Sequence, residues 1–292
     1  MKEFGSFYNV IDHRKYNTWC NYKHRIDTYG CGCQHNCSYC YAKCLLDFRG
    51  NWNIKQPSQA NLSKIKAVIR VLSKDVVIRM GSMTDCFQPI ERDNNITYET
   101  IKLLNKCKIN YLIVTKSHLV SNDKYLDIYD RNLAHFQVSI TNTNDRECLK
   151  HEKASPPSKR IKSIEKLYEA GFDVSVRLSP FIEGFIDYGI LNSIKCDKIL
   201  IEFLKVNHWV RKWFDINYFD YVLSYGGYRH LPLYKKIIML KGITGFSEMS
   251  VGEYVQEHHA YFKENVNYNK NDCCNLTLNN KHIPTYIQLN LF

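Results

Sequence analysis

The chain has 292 residues and a formal net charge of +11, from 40 Lys+Arg against 29 Asp+Glu. Its 45% hydrophobic and 13% aromatic content can build a large buried core, which argues against a disordered chain. No uncharged apolar run approaches the roughly 18 residues of a membrane helix, and the opening MKEFGSFYNVIDHRK lacks the apolar stretch of a secretory leader. The twelve cysteines are therefore expected in a reducing, cytoplasmic setting, as ligands, reactive thiols or small buried hydrophobes rather than disulfides. The positive excess points to a polyanionic partner and says nothing about fold.

Residues 1–25 read as an N-terminal extension. A strand is expected at 26–29, and five cysteines follow it closely: Cys31, Cys33, Cys37, Cys40 and Cys44, in GCGCQHNCSYCYAKC. Cys33-x3-Cys37-x2-Cys40 puts three thiols in one tight loop. A structural zinc site wants four ligands, usually as two pairs on separate turns. Four could be drawn from these five, but no second paired knuckle follows, and Cys273-Cys274 is adjacent, too close for one. A cubane iron–sulfur cluster is held by thiolates, and three of them leave one iron open to another molecule. This run, with Tyr39 just before its last cysteine, resembles the signature of the radical S-adenosylmethionine (SAM) enzymes. The resemblance implies a 4Fe-4S cluster on Cys33, Cys37 and Cys40. The open iron would chelate SAM, which is then cleaved to a 5′-deoxyadenosyl radical that abstracts a hydrogen atom. Cys31 and Cys44 are surplus to the pattern.

Downstream, strands are expected at 76–80, 111–115, 136–140, 174–178 and 198–203, from runs of apolar and β-branched residues. Helical patterns fall at 41–48, 62–72, 98–106, 124–132, 158–170 and 185–194, and Gly171 is placed as a C-terminal cap of the fifth. Alternating units of this length imply parallel strands with right-handed crossovers. The family resemblance implies an α/β fold, a partial (β/α)6 TIM-like barrel of parallel strands over 26–204 with a C-terminal extension, 205–292. Pattern alone leaves a doubly wound sheet open.

Chemistry in such barrels gathers at the C-terminal strand ends, and these loops are polar here. GCGCQHNCSYCYA, GSMTDCFQPIE, TKS, SIT…HEKASPPSKRI and RLSPFIEG together resemble the spore photoproduct lyase-related branch of the radical SAM proteins, from about residue 26 to 203. By that resemblance, Gly81, Ser82, Thr84 and Asp85 take the place of the segment that contacts the SAM amino group, with glycine allowing close backbone approach. Lys116, Ser139 and Arg160 are candidates for the methionyl carboxylate, where a cation or hydroxyl favours the charged form. The bland readings are a solvated loop for Lys116 and a helix-surface cation for Arg160. Relatives in this branch can return a hydrogen atom from a cysteine thiol; Cys86 and the Cys273-Cys274 pair are the candidates here.

Residues 205–236 interleave Lys205, Arg211, Lys212, Arg229, Lys235 and Lys236 with Trp209, Trp213, Phe214, Tyr218, Phe219, Tyr221, Tyr225, Tyr228 and Tyr234. Cations for phosphate and ring faces for unstacked bases are what a nucleic-acid groove needs; a layer closing the open barrel edge is the alternative. The basic stretch 150–166 reads as a solvated face. The leading expectation is a radical SAM enzyme of lyase or nucleic-acid-modifying type. It would repair or modify a base in DNA or another nucleic acid, be supplied with electrons by a reductant such as flavodoxin or ferredoxin, and have no membrane association. The alternatives are a radical SAM enzyme for a small metabolite or peptide, and a non-enzymatic zinc-stabilised nucleic-acid-binding protein.

Overall fold

The computed structural model describes residues 3–11, 20–47 and 49–278. Its centre is one eight-stranded sheet formed by β1 (Tyr8–Val10), β2 (His24–Ile26), β3 (Val77–Met80), β4 (Asn110–Thr115), β5 (Ala134–Ile140), β6 (Asp173–Phe181), β7 (Lys198–Phe203) and β8 (Glu248–Gly252), in that spatial order. Only β1 runs antiparallel to its neighbour; every pairing from β2 to β8 is parallel. Strands laid side by side in chain order make an open partial barrel rather than a doubly wound sheet, in which the order would reverse.

Alternation along each strand sorts its side chains onto two faces. Ile78, Met80, Tyr111, Ile113, Phe136, Val138, Val174, Val176, Ile199 and Ile201 join the main core with the helices. The helices supply apolar stripes at helical spacing: Ile65 and Ile69 of α1 (Leu62–Val71), Ile101 and Leu104 of α2 (Ile96–Cys107), Ile164 and Leu167 of α3 (Pro157–Glu169). The Asn61 side chain caps α1 by accepting from the Ser63 and Lys64 amides. Pro157 opens α3, and Gly171, at φ 77, follows its end.

Three expectations are adjusted. The strand expected at 26–29 leaves the main sheet after Ile26 and pairs again only at Tyr29–Gly30, against Ser58–Gln59, because Asp27 turns onto the amides of residues 82–84. The helix expected at 124–132 is a single turn, Asp123–Leu126, and the Asp130 side chain then turns the chain by accepting from the Asn132 amide. The sheet also continues past residue 204, since β8 extends it beside β7. No described helix is long and apolar enough to cross a membrane.

Candidate active site

The loop carrying Cys33, Cys37 and Cys40 leaves the C-terminal end of β2 and is strapped down on two sides. Gln34 exchanges hydrogen bonds with the loop after β3: its amide donates to Gln88 Oε1 (2.9 Å), and its Oε1 accepts from the Ile90 amide (2.7 Å). On the other side the Lys153 amide donates to the His35 carbonyl (2.6 Å) and the Ser38 amide to the His151 carbonyl (2.8 Å). At Gly32, φ is 150 and a Cβ would stand 1.9 Å from the Asn53 carbonyl oxygen, so the loop requires glycine there. Burial, reinforced by Asp85, pushes the Cys33 thiol up to about 12. Burial, reinforced by Glu152, pushes Cys37 up as well, so a bound cationic centre would have to supply the charge that deprotonates them.

Asp85 fixes the loop rather than facing an open space. Its two oxygens accept from Thr115 Oγ1 (2.7 Å) and the amides of Phe87 (2.8 Å) and Lys116 (2.7 Å), and Oδ2 lies 3.3 Å from His35 Nδ1. Burial opposes its ionisation, but His35 and these donors outweigh it and hold the carboxyl below its ordinary value. Ser82 Oγ meets Arg25 Nη1 at 2.9 Å, and Thr84 Oγ1 donates to the Tyr29 carbonyl at 2.5 Å. Gly81 is required by its packing. Its φ is +79, and a Cβ would lie 2.2 Å from the Val114 carbonyl oxygen, so the close approach to the neighbouring strand already requires glycine.

Glu152, which the sequence reading did not single out, joins three expected residues. Its carboxylate accepts from the Tyr39 hydroxyl, Thr141 Oγ1 (3.1 Å), the Cys148 thiol (3.0 Å) and the wholly buried Arg160 guanidinium, and it lies 3.6 Å from Cys37 Sγ. Arg160 spends its other donors on the carbonyls of Ser155 (2.5 Å) and Ser139 (3.0 Å). That corrects the reading of it as a helix-surface cation. Lys116 is the cation left facing the loop. Its Nζ lies 5.1 Å from the centre of the Tyr39 ring and donates to the Ser179 carbonyl at 3.1 Å. Burial draws its pKa down, against the pull of Cys37 and Asp85.

The sheet face opposite the helices is polar. Arg177 pairs with Glu202 (2.5 Å) and donates to Gln137 Oε1 (2.5 Å), and Ser179 Oγ donates to Glu202 at 2.7 Å. Burial opposes the Glu202 charge, but Arg177 and then Arg79 hold its carboxyl below the ordinary value. Arg25 Nε, Arg79 Nε, Gln137 Nε2 and Ser250 Oγ are buried there without hydrogen-bond partners, so polar groups with unmet hydrogen-bonding capacity gather on this face. Ser139 lies buried on this face, in register with Arg177. Charged residues inside otherwise apolar strands were the available sequence signal.

The three expected radical thiols separate. Cys86 is buried in the main core with the helices, whereas Cys273 and Cys274 pack with Val77, Leu112 and Val114 on the opposite face. The aromatic segment closes over the cysteine loop: Phe214 packs edge-on to Tyr39 (5.3 Å) and His151 (5.0 Å), and the Cys44 thiol points at Asn207 Oδ1 (3.7 Å). Lys236 is wholly buried against Glu253 and Lys235 pairs with Asp220 at 2.8 Å, so this pair is not an open phosphate site.

Three thiols on one loop, Cys33 buried and Cys37 and Cys40 half-buried, with the Lys116 amine across from them, fit a cluster that keeps one iron for a chelating ligand with a carboxylate. A family model described as the Radical SAM superfamily matches residues 28–190, more than half of the chain. An uncharacterized protein of Methanocaldococcus jannaschii is 32% identical over 164 residues, which cover 53% of this chain and 60% of that protein, so the match spans less than two thirds of its length. Spore photoproduct lyase complexed with dinucleoside spore photoproduct superposes with TM-score 0.58 at 15% identity, covering 85% of this chain and 80% of that one. A mutant of the same lyase with bound AdoMet and dinucleoside spore photoproduct gives 0.55 at 17% identity over 78% and 76%. Streptococcus suis SuiB bound to precursor peptide SuiA gives 0.51 at 13% identity over 85% and 53%. At such identities the structural likeness shows the shared fold. The sequence match goes further: the chain belongs to the radical SAM superfamily, a family of enzymes whose cofactors are a 4Fe-4S cluster and SAM.

Proposed function

We propose that this protein is a radical SAM enzyme that repairs or modifies a base in a nucleic acid. Cys33, Cys37 and Cys40 would hold the cluster, and Lys116 the methionyl carboxylate. Held there, the cluster would supply the reducing electron for SAM cleavage, the source of a 5′-deoxyadenosyl radical for hydrogen abstraction. The protein's own part is to fix the loop through Asp85 and Glu152 and to cover it with Phe214. It also presents Arg25, Arg79 and Arg177 on the face where substrate would lie. That arginine-rich face, with donors still unsatisfied, is the observation that carries the reading: guanidinium groups match phosphates and base edges. The dinucleoside lesion held by the structurally similar spore photoproduct lyase points the same way. A base would reach this face flipped, or from distorted or single-stranded nucleic acid. Cys86 has no part in the reading, because its position in the helix-side core separates it from this face. Membership of the superfamily displaces the zinc-stabilised, non-enzymatic alternative. The enzyme would act in a reducing cytoplasm with flavodoxin or ferredoxin as electron source.

The test is anaerobic. The reconstituted, reduced protein is given SAM with and without plain or ultraviolet-irradiated oligonucleotides, and 5′-deoxyadenosine is measured beside filter binding at several salt concentrations. Salt-sensitive binding and nucleic-acid-stimulated SAM cleavage are expected. Cleavage indifferent to nucleic acid, with no binding, would transfer the proposal to a small metabolite or peptide.

A further inference from the structure

We propose that Cys20, Cys273 and Cys274 form a second metal centre, a zinc–thiolate site on the sheet face opposite the helices. The three sulfur atoms lie within 4.8 Å of one another, and Cys20 Sγ stands 3.9 Å from Cys274 Sγ across 254 positions of sequence. Thiolates about 2.3 Å from one zinc ion stand roughly 3.8 Å apart in a tetrahedron and roughly 4.0 Å apart in a plane, so the observed separation is that of ligands sharing one ion. Ligands of a cubane stand farther apart, because each thiolate takes its own iron. None of the twelve cysteines is disulfide-bonded.

The surroundings are those of a built site. Asp272 accepts from the Tyr22 hydroxyl (2.5 Å), the Cys274 amide (2.9 Å) and the Leu276 amide (3.0 Å), and so holds together the two segments that bring the thiols. Among the described residues, the protein ligands brought together are these three thiolates. Tyr22, Val77, Leu112, Val114 and Leu276 wall the sulfurs with apolar surface, which keeps water from competing for the metal. A zinc ion with three thiolates carries one excess negative charge, and the Arg79 guanidinium lies within electrostatic reach of Cys20 and Cys274. Metal binding replaces each S–H by an S–Zn bond and releases three protons to solvent. Cys273 and Cys274 then have no hydrogen atom to give to a substrate radical, which removes them from the role expected of them.

The site shares no residue with the cluster loop. The segment after it crosses the opposite strand ends, where Lys198 Nζ donates to the Asn275 carbonyl (2.9 Å) and Thr277 Oγ1 (2.7 Å). Independent loading of the two sites is therefore testable. The full chain is purified anaerobically with its cluster reconstituted, and zinc and iron are measured by mass spectrometry. The combined Cys33→Ala, Cys37→Ala and Cys40→Ala variant should lose its iron and keep about one zinc per chain. In that background cobalt(II) should give a thiolate charge-transfer band. The single Cys273→Ser and Cys274→Ser variants keep most of the loop. They should weaken zinc, measured by chelator competition, by more than the roughly 10- to 100-fold typical of losing an outer-shell partner, with iron unchanged. Zinc that follows Cys33, Cys37 and Cys40 instead, zinc absent from every form, or a disulfide among Cys20, Cys273 and Cys274 found by alkylation mapping would each overturn the proposal.

Discussion

Glu152 and Arg160 form an ion pair buried from solvent, and the same carboxylate reaches the Cys37 thiol and the Tyr39 hydroxyl. A buried pair of this kind is weak evidence of net stabilisation, but breaking it strands a charge. Arg160→Met should cost about 3–5 kcal/mol in denaturant unfolding. It should also lower the iron retained after reconstitution, because Glu152 loses its anchor. An Arg160→Met protein as stable as the wild type would remove the pair from the account.

The three cysteines proposed as cluster ligands can be separated from their neighbours. Replacing Cys33, Cys37 or Cys40 by Ala should abolish both the brown colour and SAM cleavage. Cys31→Ala should leave them intact, and so should Cys44→Ala, whose thiol donates only to the Cys40 carbonyl (3.3 Å) and Asn207. Cluster absorbance and 5′-deoxyadenosine yield decide the matter.

Lys116→Met should leave the cluster in place while weakening SAM. A hydrogen bond to a charged group contributes about 1.5–3 kcal/mol, or about 10- to 150-fold in affinity. Lys116→Arg should recover part of that loss. Calorimetric titration of SAM into the reconstituted protein checks the split; unchanged affinity in Lys116→Met would reassign the carboxylate site.

Asp27 gives a pH dependence with a definite sign. Burial raises its pKa from 3.8 to about 6, against the amides of residues 82–84 that it accepts from. Between those values the folded chain binds the extra proton, so its stabilisation is full below the unfolded pKa and is lost as pH rises toward 6. The difference is on the order of 3 kcal/mol. Asp27→Asn keeps an acceptor for the amides, so its unfolding free energy should lack this slope between pH 4 and 6.

Gly81→Ala should destabilise by more than about 1 kcal/mol, since φ +79 and the Val114 carbonyl at 2.2 Å both exclude a side chain. Thermal unfolding of the variant is the measurement.

The sequence disclosed what depends on local pattern and hid what depends on distant contact. Strands such as 111–115 were legible because a continuous apolar run marks a parallel strand with both faces covered. β8, reading EMSVG, has no such run and was missed. The family was legible in the cysteine loop because its spacing is a local signature. The roles of Asp27 and Glu152 were not, because they arise from partners 55 and 113 positions away. Arg160 was misplaced by its basic neighbours, although its spacing from Ile164 and Leu167 puts it on their buried side.

The Tyr22–Asp272 bond closes a loop of 250 positions, and that span imposes an order on synthesis. The cysteine loop and every strand through β8 leave the ribosome before Asp272 does, so a nascent chain can assemble the cysteine-loop end of the sheet while its other end still lacks a floor. Truncation just before residue 272 should therefore yield a chain that acquires iron yet stays open to proteases at the mouth opposite the cluster.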